Sequence, residues 1–216
     1  MVSDTPLIGW PYGGCCIFYK KSLAGCISIC STGSKHVNAI VVQLADRQLL
    51  FIANVYFPTN NGTVSSKVNL NDTLGEIEGL LASQQFDYLL VAGDFNTDIS
   101  PKTTFSKALL DFADYHSLVL ADVQFGDSVG WTFESHCGLS HSWIDHILVS
   151  SRIVSAVSEV STLDCVSNFS DHRPILAVCQ LHLVGMNTHI DRPTKRKISI
   201  VCGTKPLMRT CNGILN

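Results

Sequence analysis

Residues 87–96, with the sequence DYLLVAGDFN, join a short apolar run to a polar turn. Residues 87–92 have the length and aliphatic character of a buried β-strand, and Gly93 ends the run. Asp94 and Asn96 follow directly, at a position where loops commonly present polar side chains to a ligand. An Asx turn, in which Asp94 binds only neighbouring backbone, is the alternative explanation. The stretch therefore predicts a buried strand with a candidate site at its end.

Upstream of this strand, apolar runs alternate with turn-forming residues. Glycine, serine, lysine and an Asp46-Arg47 turn separate the runs, a pattern typical of antiparallel strands. We therefore predict a β-rich N-terminal half. Its strands are expected at residues 15–20, 26–30, 37–44 and 48–57.

Two helices are predicted on either side of the 87–92 strand. Leucine and isoleucine recur at helical spacing in residues 70–83, and Asn69 or Asn71 can cap the start. The second helix is expected to begin with Ser100 as N-cap and Pro101 in its first turn. Each helix has one apolar face, so each is expected to pack on a sheet.

Strands return in the C-terminal half before the hydrophobic periodicity fades. They are predicted at residues 129–135, 143–149, 156–162 and 174–183. Helices between two groups of strands predict an α/β sandwich with the sheets inside and the helices outside. We assign residues 1–184 to this domain and residues 185–216 to a basic tail or linker.

Composition and charge exclude several classes of protein. The chain of 216 residues is 46% hydrophobic and 15% charged, a balance that predicts a folded core rather than disorder. Its apolar runs are far shorter than the roughly 20 residues that cross a bilayer, which argues against a membrane-spanning segment. The nine cysteines form no Cys-x-x-Cys pair and are interpreted as reduced core residues.

The net charge of −3 combines two regions of opposite sign. Residues 1–188 carry 9 basic and 17 acidic side chains, whereas residues 189–216 carry 6 basic and 1 acidic. The body is therefore acidic, which is not typical of a nonspecific nucleic-acid binder.

Further candidate site residues lie in the C-terminal strands. Asp145 interrupts an apolar strand, where a buried carboxylate loses several kcal/mol of hydration and needs a cation or a hydrogen-bonding partner. Asp171 and His172 precede the last strong strand, and such a pair can bind a hard cation and move protons. A solvated strand face and a plain turn are the respective alternatives.

Taken together and in order, five motifs resemble the endonuclease/exonuclease/phosphatase (DNase I-like) superfamily. The sequences of the two C-terminal motifs, residues 142–146 and 170–174, together with Pro11-Tyr12-Gly13-Gly14 upstream, are most similar to the apurinic-type endonuclease domain of LINE-type non-LTR retrotransposon proteins. The resemblance covers residues 11–183. The motifs are Tyr56-Phe57-Pro58, Gly93-Asp94-Phe95-Asn96, Trp131-Thr132-Phe133, Ser142-Trp143-Ile144-Asp145-His146 and Ser170-Asp171-His172-Arg173-Pro174.

The resemblance implies a four-layer α/β sandwich, two packed sheets flanked by helices, that cleaves phosphodiesters with Mg²⁺, or with Mn²⁺ in its place. It also implies DNA as the partner, no membrane association, and an intracellular, nuclear location. By motif position the implied roles are His172 as catalytic histidine, Asp145 as its orienting partner, Asp94 as activator of water, Asn96 and Tyr56 as phosphate contacts, and Asp171 as metal ligand.

One departure from the family pattern concerns the N-terminus. The family's first strand and loop carry an asparagine and the principal metal-binding glutamate, and both should precede Tyr12. Asp4 is the only acidic residue there, and no strand pattern surrounds it. We therefore expect an N-terminally truncated domain that lacks its first strand and loop. The reverse-transcriptase region expected in a full-length parent is also absent from the sequence.

Three functions follow from these observations. The first is a metal-dependent DNA endonuclease that nicks a retrotransposon target site, inactive if the missing glutamate is indispensable. The second is a catalytically inactive relic with at most a binding role. The third is a phosphatase of the same fold that acts on small phosphorylated molecules, which the acidic body favours because duplex binding depends on basic contacts.

Overall fold

The computed structural model describes residues 15–126, 129–163, 170–183 and 196–202. Within these ranges the helices are α1 (Val64–Ser83), α2 (Thr104–Tyr115) and the single turn α3 (Ala121–Gln124). None of the described helices is long and apolar enough to cross a membrane. The strands are β1 (Ile27–Cys30), β2 (Val37–Gln43), β3 (Leu49–Tyr56), β4 (Tyr88–Asp94), β5 (Leu118–Leu120), β6 (Phe133–Glu134), β7 (His141–Ser142), β8 (Asp145–Ser150), β9 (Val157–Thr162), β10 (Ile175–Leu181) and β11 (Arg196–Cys202).

The strands form one large sheet, a second sheet and a short hairpin. The large sheet has the order β1-β2-β3-β4-β8-β5, and the second has the order β11-β10-β9. All of these neighbours are antiparallel except β3 and β4, which are parallel and are connected by α1. A parallel pair requires a crossover of this kind, since a short turn cannot return the chain to the same end of the sheet. Strands β6 and β7 form the hairpin.

Two apolar cores lie on opposite faces of the large sheet. On one face, α1 and α2 cover the sheet with side chains that include Leu70, Ile77, Phe105 and Leu109. On the other face, the large sheet packs against the second sheet through residues such as Leu50, Leu90, Ile147, Val160 and Ala177. A layer of helices, a central sheet and a second sheet therefore follow one another. The predicted α/β class with packed sheets and outer helices is confirmed.

Both long helices begin elsewhere than the sequence predicted. Helix α1 starts at Val64, because Thr63 accepts a hydrogen bond from the backbone N–H of Ser66 and caps the helix about two turns before Leu70. Helix α2 starts at Thr104, where Thr103 and Ser106 form a reciprocal capping box. The proposed caps at Asn69, Asn71 and Ser100 are wrong, because hydroxyl caps with the correct spacing were available nearby.

The predicted strand at residues 15–20 is also wrong. The side-chain amides of Asn38 and Asn54 donate hydrogen bonds to the carbonyls of Cys15 and Cys16, so side chains rather than a neighbouring strand satisfy these two carbonyls. Residues 15–20 have no regular structure and lead into a 3₁₀ helix, Lys21–Cys26. The predicted strand at 129–135 is reduced to β6, and the three-residue strand β5 was too short to be recognised.

Part of the predicted tail belongs to the second sheet. Residues 196–202 form β11, which pairs with β10 along its whole length from Ile175 to Leu181. The stretch was interpreted as a linker because Arg196 and Lys197 continue a run of basic residues, which masked the β-branched residues that follow. The prediction of a tail is therefore wrong for residues 196–202. The rest of the predicted tail, residues 185–195 and 203–216, lies outside the described residues.

Removing β11 is expected to destabilise the domain. A chain ending at residue 190 loses the ladder along β10 and the partial burial of Ile200 against the core between the sheets. We expect its melting temperature to fall by about 5 °C or more, since each kcal/mol corresponds to about 2–4 °C in a domain of this size. Differential scanning calorimetry would measure the difference. A chain ending at residue 203 retains β11 and serves as the control, and equal melting of both chains would contradict this contribution.

Candidate active site

The strand register of the large sheet aligns three polar residues in one row. Tyr56 at the end of β3 lies beside Asp94 at the end of β4, and Asp94 lies beside Asp145 at the start of β8. Side chains two residues apart on a strand share a face, and Ala92 on β4 belongs to the core between the sheets. The row therefore lies at the edge of the groove between the two sheets. Asp94 and Asp145 are only 3% and 1% exposed.

His172 reaches this row from the segment that precedes β10, where it forms an isolated β-bridge with Phe133 of the hairpin. Its Nδ1 donates a hydrogen bond of 2.8 Å to Oδ2 of Asp145. Backbone hydrogen bonds join its neighbours to the β6 region: Glu134 donates to the carbonyl of Asp171 and Arg173 donates to the carbonyl of Thr132. Asp145 thereby fixes the imidazole orientation, and the Nε2 atom of His172 lies 3.9 Å from Oδ2 of Asp94.

A tight turn after β4 brings Asn96 against Asp94. The backbone N–H of Asn96 donates to Oδ1 of Asp94 at 2.8 Å, and its side-chain amide donates to the carbonyl of Phe57 at 2.8 Å. Asn96 has a φ of 46°, a left-handed conformation that asparagine tolerates better than most residues. The Asx turn expected as an alternative is therefore present. It coexists with the cluster, because Oδ2 of Asp94 still faces His172.

Burial and charge shift the proton affinities of this cluster. Burial, followed by the negative charge of Asp145, raises the pKa of Asp94 to about 7, although His172 partly opposes the shift. Burial works to lower the pKa of His172, but its hydrogen bond to Asp145 and the charges of Asp145, Asp94 and Asp171 outweigh burial and raise it. Burial and the charge of Asp94 also raise the pKa of Tyr56. Perturbed groups concentrated in one groove are typical of functional sites.

Asp94, Asp145 and His172 could together hold a metal ion. Their ligand atoms lie within 4.8 Å of one another. The Oδ1 atom of Asp145 is buried and has no hydrogen-bond partner, which leaves one carboxylate oxygen available inside the cluster. The exposed Asp171 is not part of this group of described residues. Its role as a metal ligand therefore stays a prediction, as do the individual roles of the other site residues.

Three residues that sequence analysis did not select support the cluster from behind. Thr132 is fully buried, and its hydroxyl accepts hydrogen bonds from the backbone N–H groups of Ile144 and Asp145. His146 and Asp122 form a fully buried pair at 2.7 Å. Thr132 and His146 lie inside quoted motifs, so their positions were visible. Asp122, in the ordinary sequence LADV, gave no indication of its burial.

A stack of rings borders the cluster on the hairpin side. The ring of Trp131 stacks on His141 with centroids 4.3 Å apart, and the guanidinium of Arg173 lies 4.3 Å from the Trp131 ring centroid. Arg173 directly follows His172 in the sequence. An aromatic ring and a cation therefore lie next to the candidate catalytic residues.

The pKa of Asp94 predicts a stability effect that depends on pH. Between about pH 4 and pH 7 the folded state retains a proton on Asp94 that the unfolded state has lost, so stability falls as the pH rises through this window. Asp94→Asn removes the buried charge. In EDTA we expect the variant to melt about 4 °C or more above the wild type at pH 8, where each kcal/mol corresponds to about 2–4 °C.

At pH 5 the difference should be close to zero, because Asp94 is then already protonated. Asp111→Asn, at an exposed position of α2, is the matched control and should show the same small difference at both pH values. A melting difference for Asp94→Asn that does not change between pH 5 and pH 8 would contradict the raised pKa. Thermal scans at the two pH values provide the measurement.

Comparison with solved structures identifies the fold. A variant of the 3′ phosphatase NExo from Neisseria, bound to a product DNA hairpin, matches with a TM-score of 0.55 and 17% identity, over 70% of this chain and 69% of that chain. The catalytic domain of APE2 from Xenopus laevis matches with a TM-score of 0.51 and 16% identity, over 71% and 58%. The endonuclease domain of TRAS1, a telomere-specific non-LTR retrotransposon, matches with a TM-score of 0.50 and 13% identity, over 68% and 64%.

Comparison of sequences identifies the family. No curated protein matches the chain. The family model described as endonuclease-reverse transcriptase matches residues 50–176, a span that includes Tyr56, Asp94, Asn96, Asp145 and His172. This span is more than half of the sequence, and the solved structures share its fold. The chain therefore belongs to the endonuclease-reverse transcriptase family, within the endonuclease/exonuclease/phosphatase superfamily of DNase I-like proteins.

Proposed function

We propose that this protein is a Mg²⁺-dependent phosphodiesterase of the DNA endonuclease type. The observation that carries the proposal is the arrangement of His172 between two buried carboxylates. One carboxylate, Asp145, orients the imidazole through Nδ1 at 2.8 Å, and the other, Asp94, faces Nε2 at 3.9 Å. Nε2 of His172 and Oδ2 of Asp94 lie side by side at the edge of the groove between the sheets, so a phosphate in that groove can meet Nε2 while a water molecule meets Asp94.

Hydrolysis of a phosphodiester forms a bond from a water oxygen to phosphorus and breaks the bond to the leaving sugar oxygen. It requires a base for the proton of the water and groups that stabilise the negative charge developing on the phosphate and on the leaving oxygen. Asp94 suits the first task, because a pKa of about 7 lets it accept a proton near neutral pH. His172 suits the second, because Asp145 stabilises its protonated form and directs Nε2–H towards the phosphate. Asn96 and Tyr56, on either side of Asp94, are proposed to contact the phosphate oxygens.

The residues present fit a divalent cation. Mg²⁺ binds oxygen ligands, and one or two carboxylates together with substrate phosphate commonly suffice. The unpartnered Oδ1 of Asp145 would hold it, with Asp171 as the further ligand implied by its motif, and Asp94 would remain available as the base. When bound, the cation neutralises charge on the phosphate group, and Mn²⁺ can supply the same chemistry.

DNA is the proposed substrate. The Arg173 guanidinium, which lies over the Trp131 ring beside the cluster, provides positive charge of the kind that nucleic acids require. The fold of NExo has been solved with a product DNA hairpin, and that of TRAS1 belongs to a retrotransposon endonuclease, which supports the same class of substrate. The proposal includes nicking of a retrotransposon target site, a nuclear place of action, and a reverse-transcriptase domain in a full-length parent.

A phosphatase of the same fold is the second candidate. Its specific support is the acidic body, since residues 1–188 carry a net charge of −8 that disfavours long contacts with a duplex. A phosphomonoester needs only the cluster itself. DNA carrying a 3′-phosphate and a soluble inositol polyphosphate, assayed for released phosphate, separate this candidate from the endonuclease.

The endonuclease proposal predicts Mg²⁺-dependent nicking of supercoiled plasmid that EDTA abolishes. His172→Ala removes the proposed charge-stabilising imidazole and Asp94→Ala removes the proposed base, so each should lower the nicking rate at least about 100-fold. Asp171→Asn tests the remaining ligand and should raise the Mg²⁺ concentration required. Gel assays of nicked circles over time, with circular dichroism to verify folding, provide the measurement.

Two exposed residues supply matched controls for this assay. His136→Ala and Asp111→Ala remove the same functional groups outside the cluster and should retain full nicking. Nicking that survives both His172→Ala and Asp94→Ala would show that the assigned site is wrong. A folded wild-type chain that neither nicks plasmid nor releases phosphate would instead identify a catalytically inactive relic.

A further inference from the structure

His146 is a fully buried histidine with no task in the proposed reaction. Its Nδ1 lies 2.7 Å from Oδ2 of Asp122, and its Nε2 lies 2.8 Å from the backbone carbonyl of Thr97. Both partners are acceptors, so both ring nitrogens act as donors. The second oxygen of Asp122 accepts a hydrogen bond from the backbone N–H of Ile147 at 2.9 Å. Every polar atom of this pair is therefore engaged.

The hydrogen bonds of His146 join three elements that meet behind the cluster. His146 lies on β8 next to Asp145, Asp122 lies on α3, and Thr97 lies in the loop after β4. Thr97 directly follows Asn96, whose backbone contacts Asp94. The imidazole is thus a bridge between the strand that carries one catalytic carboxylate and the loop that packs against the other.

Other hydrogen bonds hold the residues on either side of Thr97: the side-chain amide of Asn96 donates to the carbonyl of Phe57, and the N–H of Trp143 lies 3.5 Å from Oδ2 of Asp98. The N–H of Phe95 donates to the carbonyl of Ile144 at 2.9 Å, which holds the start of the loop. The hydroxyl of Thr97 is buried and makes no hydrogen bond, so its carbonyl is the polar contact that fixes this residue to the core. Asn96, between these two points, has a φ of 46° that most residues disfavour. Its position is therefore maintained by its side-chain hydrogen bond to Phe57 and by the anchored residues on either side of it.

A purely stabilising role explains this arrangement less well. Replacing a buried charged pair by apolar residues of similar volume is often neutral or stabilising, so such a pair contributes little to stability that packing could not provide. A donor aimed at the Thr97 carbonyl, by contrast, has a direction that an apolar side chain lacks. The geometry therefore favours orientation of the loop as the consequence of this pair.

We propose that His146, held by Asp122, is a positioning residue that fixes the Thr97 carbonyl and thereby keeps Asn96 against Asp94 in the catalytic geometry. The inference rests on the proposed function for its effect on catalysis. Loss of the donor to Thr97 should lower kcat about 10- to 100-fold, because small displacements of a catalytic group have effects of this size. KM for plasmid should change less than about 3-fold, since the DNA-facing surface is untouched.

A pair of variants isolates the donor from the buried charge. In Asp122→Asn, the new amide can donate to Nδ1 of His146, so the imidazole retains its proton on Nε2 and its bond to Thr97. In the double variant Asp122→Asn with His146→Phe, a ring of similar shape has no donor. Thr97→Val is the matched control, because it removes only the hydroxyl that makes no hydrogen bond. The double variant Asp122→Asn with His146→Leu repeats the comparison with Asp122→Asn, using a smaller side chain that also has no donor.

Amide hydrogen exchange at Asn96 gives a readout that does not depend on activity. Relative to Asp122→Asn, the double variant should exchange the Asn96 amide at least about 10-fold faster while amides in α1 and β8 keep their protection. Nicking kinetics should show the loss in kcat in the double variant and not in Thr97→Val. Unchanged exchange at Asn96, or faster exchange that is equal throughout the domain, would overturn the proposal.

The two hypotheses fail in different ways. A wild-type chain that does not nick DNA overturns the proposed function, whereas the exchange comparison still decides whether His146 holds the loop. A normal kcat in the double variant, with faster exchange at Asn96, overturns the catalytic consequence of the positioning role.

Discussion

Two buried carboxylates placed side by side impose the main constraint on this structure. Asp94 and Asp145 are adjacent in the register of β4 and β8, and neither is accessible enough for water to screen its charge. Such a pair is costly unless a proton or a cation is shared with it. His172 meets this requirement from the segment that leads into β10 of the second sheet, so the packing of the two sheets and the electrostatics of the site depend on each other. The backbone contacts of β6 with residues 171–173 maintain that connection.

The secondary-structure elements that depend on a local pattern of residues were predicted from the sequence. Residues 87–92 are uniformly aliphatic, and β4 is a buried strand as predicted, extended by two residues to Asp94. The motifs around Asp94, Asp145 and His172 predicted residues that the fold brings together. What sequence analysis missed depends on tertiary partners. Asp122 is notable only because His146 faces it, and β11 exists only because β10 offers an edge for pairing.

The corrections at the helix starts have a related cause. Several residues near each start can cap a helix, and the chosen cap is the one whose hydroxyl meets the backbone N–H three residues later. Spacing of apolar residues fixes which face is buried but not where the first turn begins. The position of the candidate site does not depend on where the helices begin, because the site is formed by strand ends and by the turn after β4. The fold and the cluster were consequently better predicted than the boundaries of the elements around them.

The wide separation of the cluster along the chain has a consequence for folding. Asp94 and Asp145 come from strands that pair across about fifty residues, and His172 comes from the segment before β10. Contacts between distant residues form slowly, because loop closure costs entropy before any contact rewards it. Helices α1 and α2, whose backbone hydrogen bonds are local, can form early, whereas the cluster requires β4, β8 and the segment before β10. During synthesis on the ribosome, the charged centre therefore assembles only after the segment with His172 has emerged.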